Sequence, residues 1–165
     1  MKLETKVVHY FAQKYKYDLS FVNKDLLLRA FCVNYYQKKQ EISENLQYES
    51  KLELSNKPLS LVGEKVLKLI ITTQMYDLNY LIKEYEGMSK KEEISFLSRI
   101  CDKMNLFKFA FIEIDGKVEE EFVGDDGNEK KATIVYALIG AIFISLDKNN
   151  QNIGEVKKFI NKFIK

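Results

Sequence analysis

Carboxylates stand close together in the second half of the chain, at a spacing that could hold a divalent cation. They form two neighbouring groups: Glu119, Glu120 and Glu121, then Asp125, Asp126 and Glu129. The turn at 125–128, Asp-Asp-Gly-Asn, lacks the alternating ligand positions and the terminal glutamate of an EF-hand calcium loop. We interpret the run from Glu119 to Glu129 as a solvated acidic loop and leave its role open.

Zinc and disulfide chemistry are limited by the small number of suitable side chains. The chain has two cysteines, Cys32 and Cys101, far apart and without Cys-x-x-Cys spacing, and one histidine, His9. These residues exclude a zinc cluster and argue against a disulfide framework. We expect two reduced thiols in a reducing compartment.

Lysine supplies almost all of the positive charge. The formal net charge is +2, and Arg29 and Arg99 are the only arginines. The chain as a whole is therefore not basic enough to indicate a nucleic-acid partner. Lysine binds phosphate as a point charge rather than reading base edges bidentately, so any RNA contact would be mainly to the backbone. A lysine-rich composition fits a genomic bias equally well.

The elements that carry these residues are predicted to be helices of one domain. With 165 residues, 46% of them hydrophobic, the chain is long enough for a single buried core. Its longest uncharged run, Ala132 to Leu146, is shorter than the ~20 residues that cross a bilayer and indicates a buried helix. The N-terminus has no apolar signal core, so we expect a soluble intracellular protein, cytoplasmic or mitochondrial, with no membrane partner.

Apolar residues at helical spacing predict two helices near the N-terminus. One side of the first helix is formed by Val7, Val8, Tyr10, Phe11 and Tyr15. Asn23 can cap a second helix, whose apolar side is formed by Leu26, Leu27, Ala30, Phe31 and Val33. The polar stretch from Glu41 to Ser55 is interpreted as a loop or a poorly anchored helix.

The middle of the chain carries clear helix-start signals. Pro58 suits the first turn of a helix that should end near Tyr76, followed by a shorter helix from Asp77 to Tyr85. After Gly87, Ser89 and Glu92 form a capping box. The apolar side of the helix that it starts is formed by Ile94, Leu97, Ile100, Cys101 and Met104.

The remaining segments complete the predicted fold class. The segment from Phe107 to Asp126 alternates weakly and ends in a loop, and two helices follow at Ala132 to Leu146 and Val156 to Ile164. The class is all-α, with at most a short extended piece near Phe109 to Val118.

The stretch at 56–67 reads Asn-Lys-Pro-Leu-Ser-Leu-Val-Gly-Glu-Lys-Val-Leu. It resembles the ribonuclease III signature Asn-Glu-Arg-Leu-Glu-Phe-Leu-Gly-Asp-Ala-Val-Leu. The stretch at 17–32 reads Tyr-Asp-Leu-Ser-Phe-Val-Asn-Lys-Asp-Leu-Leu-Leu-Arg-Ala-Phe-Cys. It is similar to the segment that opens the family's domain, Tyr-x-Phe-x-(Asp/Asn)-x-x-Leu-Leu-x-x-Ala-Leu-Thr. At 97–100, Leu-Ser-Arg-Ile is similar to Leu-Ala-Arg-Ile, and at 136–143, Tyr-Ala-Leu-Ile-Gly-Ala-Ile-Phe is similar to Glu-Ala-Leu-Ile-Gly-Ala-Ile-Tyr. The resemblance implies one ribonuclease III-like helical domain over 1–165, without the separate double-stranded RNA-binding domain that many relatives carry.

In that family, carboxylates from two helices hold a Mg²⁺ ion that activates water for attack on RNA. The matching positions here are Lys57, Ser60, Glu64, Thr133 and Tyr136. Residues three or four apart share a helix face, so the resemblance implies that the geometry of the site is kept while its charge is lost. A lone Glu64 cannot offset the charge of a hard dication, and Lys57 would repel one. We expect no metal, no cofactor and no catalytic residue.

The resemblance also implies partners. It implies a homodimer, or a heterodimer with a ribonuclease III-family protein, whose interface candidates on the signature helix are Leu59, Leu61, Val62 and Val66. It implies structured or double-stranded RNA, for which the candidate contacts are Lys57, Lys65, Lys68, Lys157, Lys158 and Lys162. Gly63 and Gly140 are expected at positions where helices approach closely.

Three functions remain open at this point. The first is a catalytically inactive, RNA-associated dimerisation or scaffold module, either a ribonucleoprotein subunit or the inactive partner of an active nuclease. The second is an active Mg²⁺-dependent double-stranded RNA endoribonuclease, rebuilt around Glu64 and the acids from Glu119 to Glu129. The third is a helical protein-interaction module that does not bind RNA.

Overall fold

Helices form most of the structure, and a small sheet lies between them. The computed structural model describes residues 1–39, 48–77, 88–120, 123–124, 127–146 and 152–164. The helices in these ranges are α1 (Leu3–Tyr15), α2 (Lys24–Ala30), α3 (Lys57–Asp77), α4 (Lys90–Lys103), α5 (Asn128–Ser145) and α6 (Asn152–Phe163). The strands are β1 (Cys32–Lys38), β2 (Tyr48–Ser50), β3 (Phe111–Ile114) and β4 (Lys117–Glu119), and short 3₁₀ turns occur at Leu52–Leu54 and Phe107–Phe109.

Helix α5 is the centre of the core. Every residue from Ile134 to Ile142 is buried, because α2, α3, α4 and α6 all pack around this helix. A helix that is apolar on all sides is typical of such a central position. The predicted buried helix is thus confirmed, and it begins at Asn128, one turn before the uncharged run.

Two glycines bring the backbones of α3 and α5 into direct contact. A Cβ atom added to Gly63 would lie 1.7 Å from the carbonyl oxygen of Tyr136, and one added to Gly140 would lie 2.2 Å from the carbonyl oxygen of Leu59. No side chain larger than hydrogen fits at either position without moving a helix. The prediction that Gly63 and Gly140 mark a close helix approach is confirmed.

Aromatic rings attach α6 to the N-terminal part of the chain. Phe159 and Phe163 point into the core from α6, and their ring centroids lie 6.5 and 5.7 Å from that of Phe11 on α1. Tyr17 packs edge-on against both phenylalanines of α6. Burial raises the pKa of the Tyr17 hydroxyl to about 12, so this ring stays neutral and acts as packing.

The all-α prediction was wrong in one respect, because the structure contains a four-stranded sheet in the order β2-β1-β3-β4. Strands β1 and β3 run parallel, while β2 and β4 pair antiparallel on either side. The sequence predicts Val33 on the second helix, but α2 ends at Ala30 and Val33 lies in β1. The backbone N–H of Phe111 donates to the carbonyl of Phe31. Pairing with this distant segment makes the residues after Phe31 extended instead of helical.

The extended piece predicted near Phe109 to Val118 is confirmed, since it contains β3 and most of β4. Strand β2 and the first 3₁₀ turn fall within the stretch from Glu41 to Ser55, so its interpretation as a loop or poorly anchored helix was wrong at Tyr48–Ser50. Residues 41–47 of that stretch lie outside the described ranges. The short helix predicted at Asp77 to Tyr85 also lies outside them, apart from Asp77, the last residue of α3. Within the described ranges, no helix has the length and apolarity to cross a membrane.

The predicted helix starts are confirmed at atomic detail. The side chain of Asn23 accepts hydrogen bonds from the backbone N–H groups of Asp25 and Leu26, at 2.9 and 3.1 Å. Ser89 and Glu92 form both hydrogen bonds of the capping box. Helix α3 includes Pro58 in its first turn and continues to Asp77, close to the predicted end.

We predict that Gly63→Ala destabilises the protein strongly, because the new methyl group would collide with the backbone of α5. Overpacking of this kind typically costs about 1–3 kcal/mol and occasionally more. The measurement is the free energy of unfolding in urea. Gly154→Ala in α6 is the matched control, since nothing lies within 4 Å of its Cβ position. It should be neutral or stabilising, and equal losses in the two variants would contradict the role assigned to Gly63.

Candidate functional site

The first turn of α3 is held in place by Asn56, which is buried. Its backbone N–H donates to the carbonyl of Cys32 at 2.8 Å, and its side-chain amide donates to the carbonyl of Ala30 at 3.1 Å. Its own carbonyl accepts the backbone N–H of Ser60 at 2.9 Å. One residue therefore ties the start of α3 to the end of α2 and the start of β1, and this sets the direction of the residues that follow.

The hydroxyl groups of Ser60 and Thr133 are engaged within their own helices. Ser60 donates to the carbonyl of Lys57 at 2.7 Å, and Thr133 donates to the carbonyl of Glu129 at 2.7 Å. Both groups are neutral, and Ser60 is buried. These two positions therefore contribute no negative charge to the region between α3 and α5.

Glu64 is paired with two ammonium groups. The Nζ atom of Lys90, at the start of α4, lies 2.5 Å from its Oε1 atom, and the Nζ atom of Lys68 lies 3.4 Å from the same oxygen. Burial by itself would raise the pKa of the Glu64 carboxyl. The ion pair with Lys90, supported by Lys68, outweighs that effect and holds the pKa below its ordinary value.

Tyr136 on α5 connects this pair to a second carboxyl group. Its hydroxyl donates a close hydrogen bond to Glu93 of α4, whose side chain is buried. The Nζ atom of Lys90 lies 5.2 Å from the centroid of the Tyr136 ring. Glu64, Lys90, Glu93 and Tyr136 therefore form one group, here called the polar cluster, where α3, α4 and α5 meet.

Sequence reasoning missed Lys90 and Glu93 as members of this site. Both lie in the first turn of α4, whose capping box is visible in the sequence, whereas the helices that pack beside it are not. An acidic residue in the first turn suits the helix dipole in any setting, so the sequence held no signal that Glu93 would be buried. Their role follows only from the packing of α4 on α5.

The residues of the polar cluster do not fit a magnesium ion. A hard dication requires several anionic oxygens, but the cluster already pairs one of its two carboxylates with ammonium groups. Among the residues that the structure describes, no group of three or more His, Cys, Asp or Glu side chains could hold a metal. The acidic loop is described only in part, because residues 121–122 and 125–126 lie outside the described ranges.

The two cysteines are free and buried. Burial raises the pKa of the Cys32 thiol to about 11 and that of the Cys101 thiol to about 12. Since the thiolate is the reactive form, both behave as core residues rather than as nucleophiles.

The candidate lysines for RNA contact lie on two helices. On α3, Lys57 and Lys65 are exposed, and Lys68 is exposed but paired with Glu64. On α6, Lys158 pairs with Glu155 at 3.0 Å; Lys162 is exposed and Lys157 half-buried. A cleft of about 250 Å³ beside the start of α3 is lined by Val33, Leu52, Asn56, Lys57, Glu129, Lys130 and Thr133. The structure thus brings two of the predicted site positions, Lys57 and Thr133, to one cleft.

The four interface candidates on α3 divide into two pairs. Leu59 and Val66 are buried in the core of the monomer, so this half of the prediction does not describe a free surface. Leu61 is 51% exposed and Val62 is half-buried. Leu69, two turns after Leu61, is also 51% exposed and adds to the same helix a second apolar side chain open to a partner.

Comparison with known proteins finds a relative of this chain. The chain is 31% identical over 134 residues to the protein named ribonuclease 3 from Borreliella burgdorferi, an alignment that covers 77% of this chain and 48% of that protein. The chain thus spans about half the length of that relative. No protein-family model matches, and no solved structure gives a significant match. The similarity suggests a ribonuclease III-like family, in agreement with the motifs at 56–67 and 136–143.

We predict that the stability contributed by Glu64 is lost in acid. The folded-state pKa of this carboxyl lies below its ordinary value of 4.5, so the folded protein binds the proton less tightly than the unfolded chain. The contribution is complete above pH 4.5 and falls as the pH decreases through the lowered pKa. Glu64→Gln should lower the free energy of unfolding by about 1 kcal/mol or less at neutral pH. The difference from the wild type should shrink as the pH falls below 4.5.

Urea unfolding of wild type and variant at a series of pH values measures this effect. Glu53→Gln is a suitable control, because Glu53 is exposed and makes no ion pair in the part of the chain that the structure describes. Its unfolding free energy should follow that of the wild type at every pH. A Glu64→Gln deficit that stays constant down to strongly acidic pH would show that the ion pairs do not supply it.

Proposed function

We propose that this chain is a catalytically inactive ribonuclease III-like protein that acts as an RNA-associated dimerisation or scaffold module. The observation that carries the proposal is the state of Glu64. It is the one carboxylate kept at the positions that match the family's metal site, and it is paired with Lys90 and Lys68. Ser60, Thr133 and Tyr136 supply neutral hydroxyls in place of the other carboxylates. Because the matching carboxylate is already paired with lysines, the site has too few free anionic oxygens to hold a divalent cation, and the metal-assisted hydrolysis of the family has no support there.

Exposed lysines support contact with the phosphate backbone of RNA. Lys57 and Lys65 are exposed on α3 and make no ion pair within the described ranges. Lys130 and Glu129 line the same cleft as Lys57, and the Nζ atom of Lys130 donates to the carbonyl of Val123 at 2.9 Å. An A-form duplex is recognised mostly through its shape, its phosphates and its 2′-hydroxyls, so point charges of this kind suit structured RNA. The net charge of +2 limits binding to a local patch rather than a global field.

The exposed apolar side chains of α3 support dimerisation. Leu61 and Leu69 are each 51% exposed on a helix whose opposite side is buried against α5. A two-fold interface uses the same surface patch on both subunits, so a short stripe formed by Leu61 and Leu69, with the exposed Lys65 between them, can pair with itself. The same stripe would also serve a heterodimer with a catalytic ribonuclease III-family protein. A ribonucleoprotein subunit and the inactive partner of an active nuclease are both compatible with these surfaces.

We expect the purified protein to bind long double-stranded RNA without cutting it. Incubation with such RNA in Mg²⁺ or Mn²⁺, followed by denaturing electrophoresis, should leave the RNA intact because the metal ligands are missing. Cleavage that Glu64→Ala abolishes would contradict the proposal and support a rebuilt nuclease. Binding should weaken with salt, because lysine contacts release counterions from the phosphates.

Lysine variants test whether the binding uses the surface assigned to it. Lys57→Gln combined with Lys65→Gln should weaken binding to all RNA sequences alike. The slope of log affinity against log salt should become shallower by about 0.7–0.9 for each phosphate that is no longer neutralised. Lys6→Gln combined with Lys117→Gln removes the same charge from exposed positions on α1 and β4 and should have a smaller effect. A wild-type protein with no salt-dependent RNA binding would instead be a protein-interaction module.

We also predict that Leu61→Glu abolishes self-association by placing a charge in the apolar stripe. Sedimentation velocity should then show a monomer where the wild type shows a dimer, with unchanged helical content. Val118→Glu is the control, because Val118 is 46% exposed on β4, away from α3. A wild type that stays monomeric alone but dimerises with a catalytic ribonuclease III-family protein would identify the heterodimer; a Leu61→Glu variant that still dimerises would rule out this surface.

A further inference from the structure

We infer that the ammonium group of Lys90 is a built-in cation that joins α3, α4 and α5, so that the polar cluster is stable without a divalent metal. The inference rests on the proposed function only in that this is the region where the resemblance places the family's metal site. It concerns the stability of the protein and does not depend on RNA binding.

The position of Lys90 allows one positive charge to contact two neighbouring helices. Lys90 begins α4, and its Nζ atom donates to Oε1 of Glu64 on α3 at 2.5 Å. The same atom lies 5.2 Å from the ring centroid of Tyr136 on α5, within the range of a cation–π contact. The Lys90 side chain is 52% exposed, so its ammonium group contacts α3 through a charge-assisted hydrogen bond and α5 through the ring while remaining partly in water.

The ring of Tyr136 and the ammonium group of Lys90 are chemically complementary. The resemblance aligns Tyr136 with a glutamate, which would offer a negative charge to a metal. The tyrosine offers a ring, which attracts a cation without carrying a charge itself. Its hydroxyl is fixed by the hydrogen bond to Glu93 on α4, so the orientation of the ring is set by the same helix that carries Lys90. A ring held in this way suits an ammonium group better than a dication that needs oxygen ligands.

Ammonium groups already occupy the surroundings of Glu64. Lys90 and Lys68 both contact its carboxylate, and a dication would add two positive charges beside them. The side chain of Glu64 is only 18% exposed and Glu93 is buried, so an uncompensated charge there is costly. Lys68 is the weaker partner, since its Nζ atom lies at 3.4 Å and contacts Glu64 from the same helix.

The test compares Lys90→Met with Lys68→Met, each of which removes one ammonium partner of Glu64. In EDTA, Lys90→Met should lower the melting temperature by about 2–4 °C, and Lys68→Met by clearly less. Lys90→Arg keeps the charge and should melt close to the wild type. Millimolar Mn²⁺ should leave the melting temperature of the wild type unchanged. Equal losses in the two methionine variants, or stabilisation of the wild type by Mn²⁺, would overturn the inference.

A double-mutant cycle separates the charge of Lys90 from its packing. If the ion pair carries the effect, Lys90→Met combined with Glu64→Gln should lose no more stability than the worse single variant. Additive losses would show that Lys90 acts through its aliphatic stem and would overturn the inference. If the wild type cleaves RNA and its melting temperature does not change with Mn²⁺, the proposed function is contradicted but this inference is not. Stabilisation by Mn²⁺ without cleavage would contradict this inference but not the proposed function.

Discussion

The direct contact between the backbones of α3 and α5 at Gly63 and Gly140 is the constraint on which the rest of the structure depends. A Cβ atom at either glycine would overlap a main-chain carbonyl of the other helix. Because the helices approach so closely, the residues next to the crossing have fixed neighbours. Glu64 follows Gly63 directly, and Tyr136 supplies the carbonyl that Gly63 meets. The packing that builds the core therefore also determines which side chains share the candidate site.

This constraint explains how the region can keep its geometry while its chemistry differs from that of a metal centre. The crossing depends on two glycines and on buried apolar residues of α5, none of which holds a metal. Polar side chains around it can change as long as each is satisfied. Ser60 and Thr133 bond to carbonyls of their own helices, and Tyr136 bonds to Glu93. Glu64 has Lys90 and Lys68 as ionic partners. Each of these polar groups thus has a partner that does not require a bound ion.

The sheet is the second element that positions the site, and it acts through Asn56. The hydrogen bonds of Asn56 to Ala30 and Cys32 link the start of α3 to the point where α2 gives way to β1. The chain can change from helix to strand at this point because β3 pairs with β1 in parallel. The wall that β1 and the first 3₁₀ turn add beside α3, with Val33 and Leu52, completes the cleft that contains Lys57 and Thr133.

The sequence alone determined the features that depend on near neighbours in the chain. The caps at Asn23 and Ser89 and the buried run of α5 are encoded by residue type and short-range spacing, and the small size of Gly63 and Gly140 allows a close helix approach. Only the tertiary structure decided the features that depend on distant segments. Val33 has the β-branched side chain of a strand, but its strand needs β3 from much later in the chain. Likewise, Lys90 and Glu93 look like ordinary first-turn residues until α4 packs on α5 and places them beside Glu64 and Tyr136. Their role could not be read from spacing, because an ion pair between helices is set by packing rather than by separation along the chain.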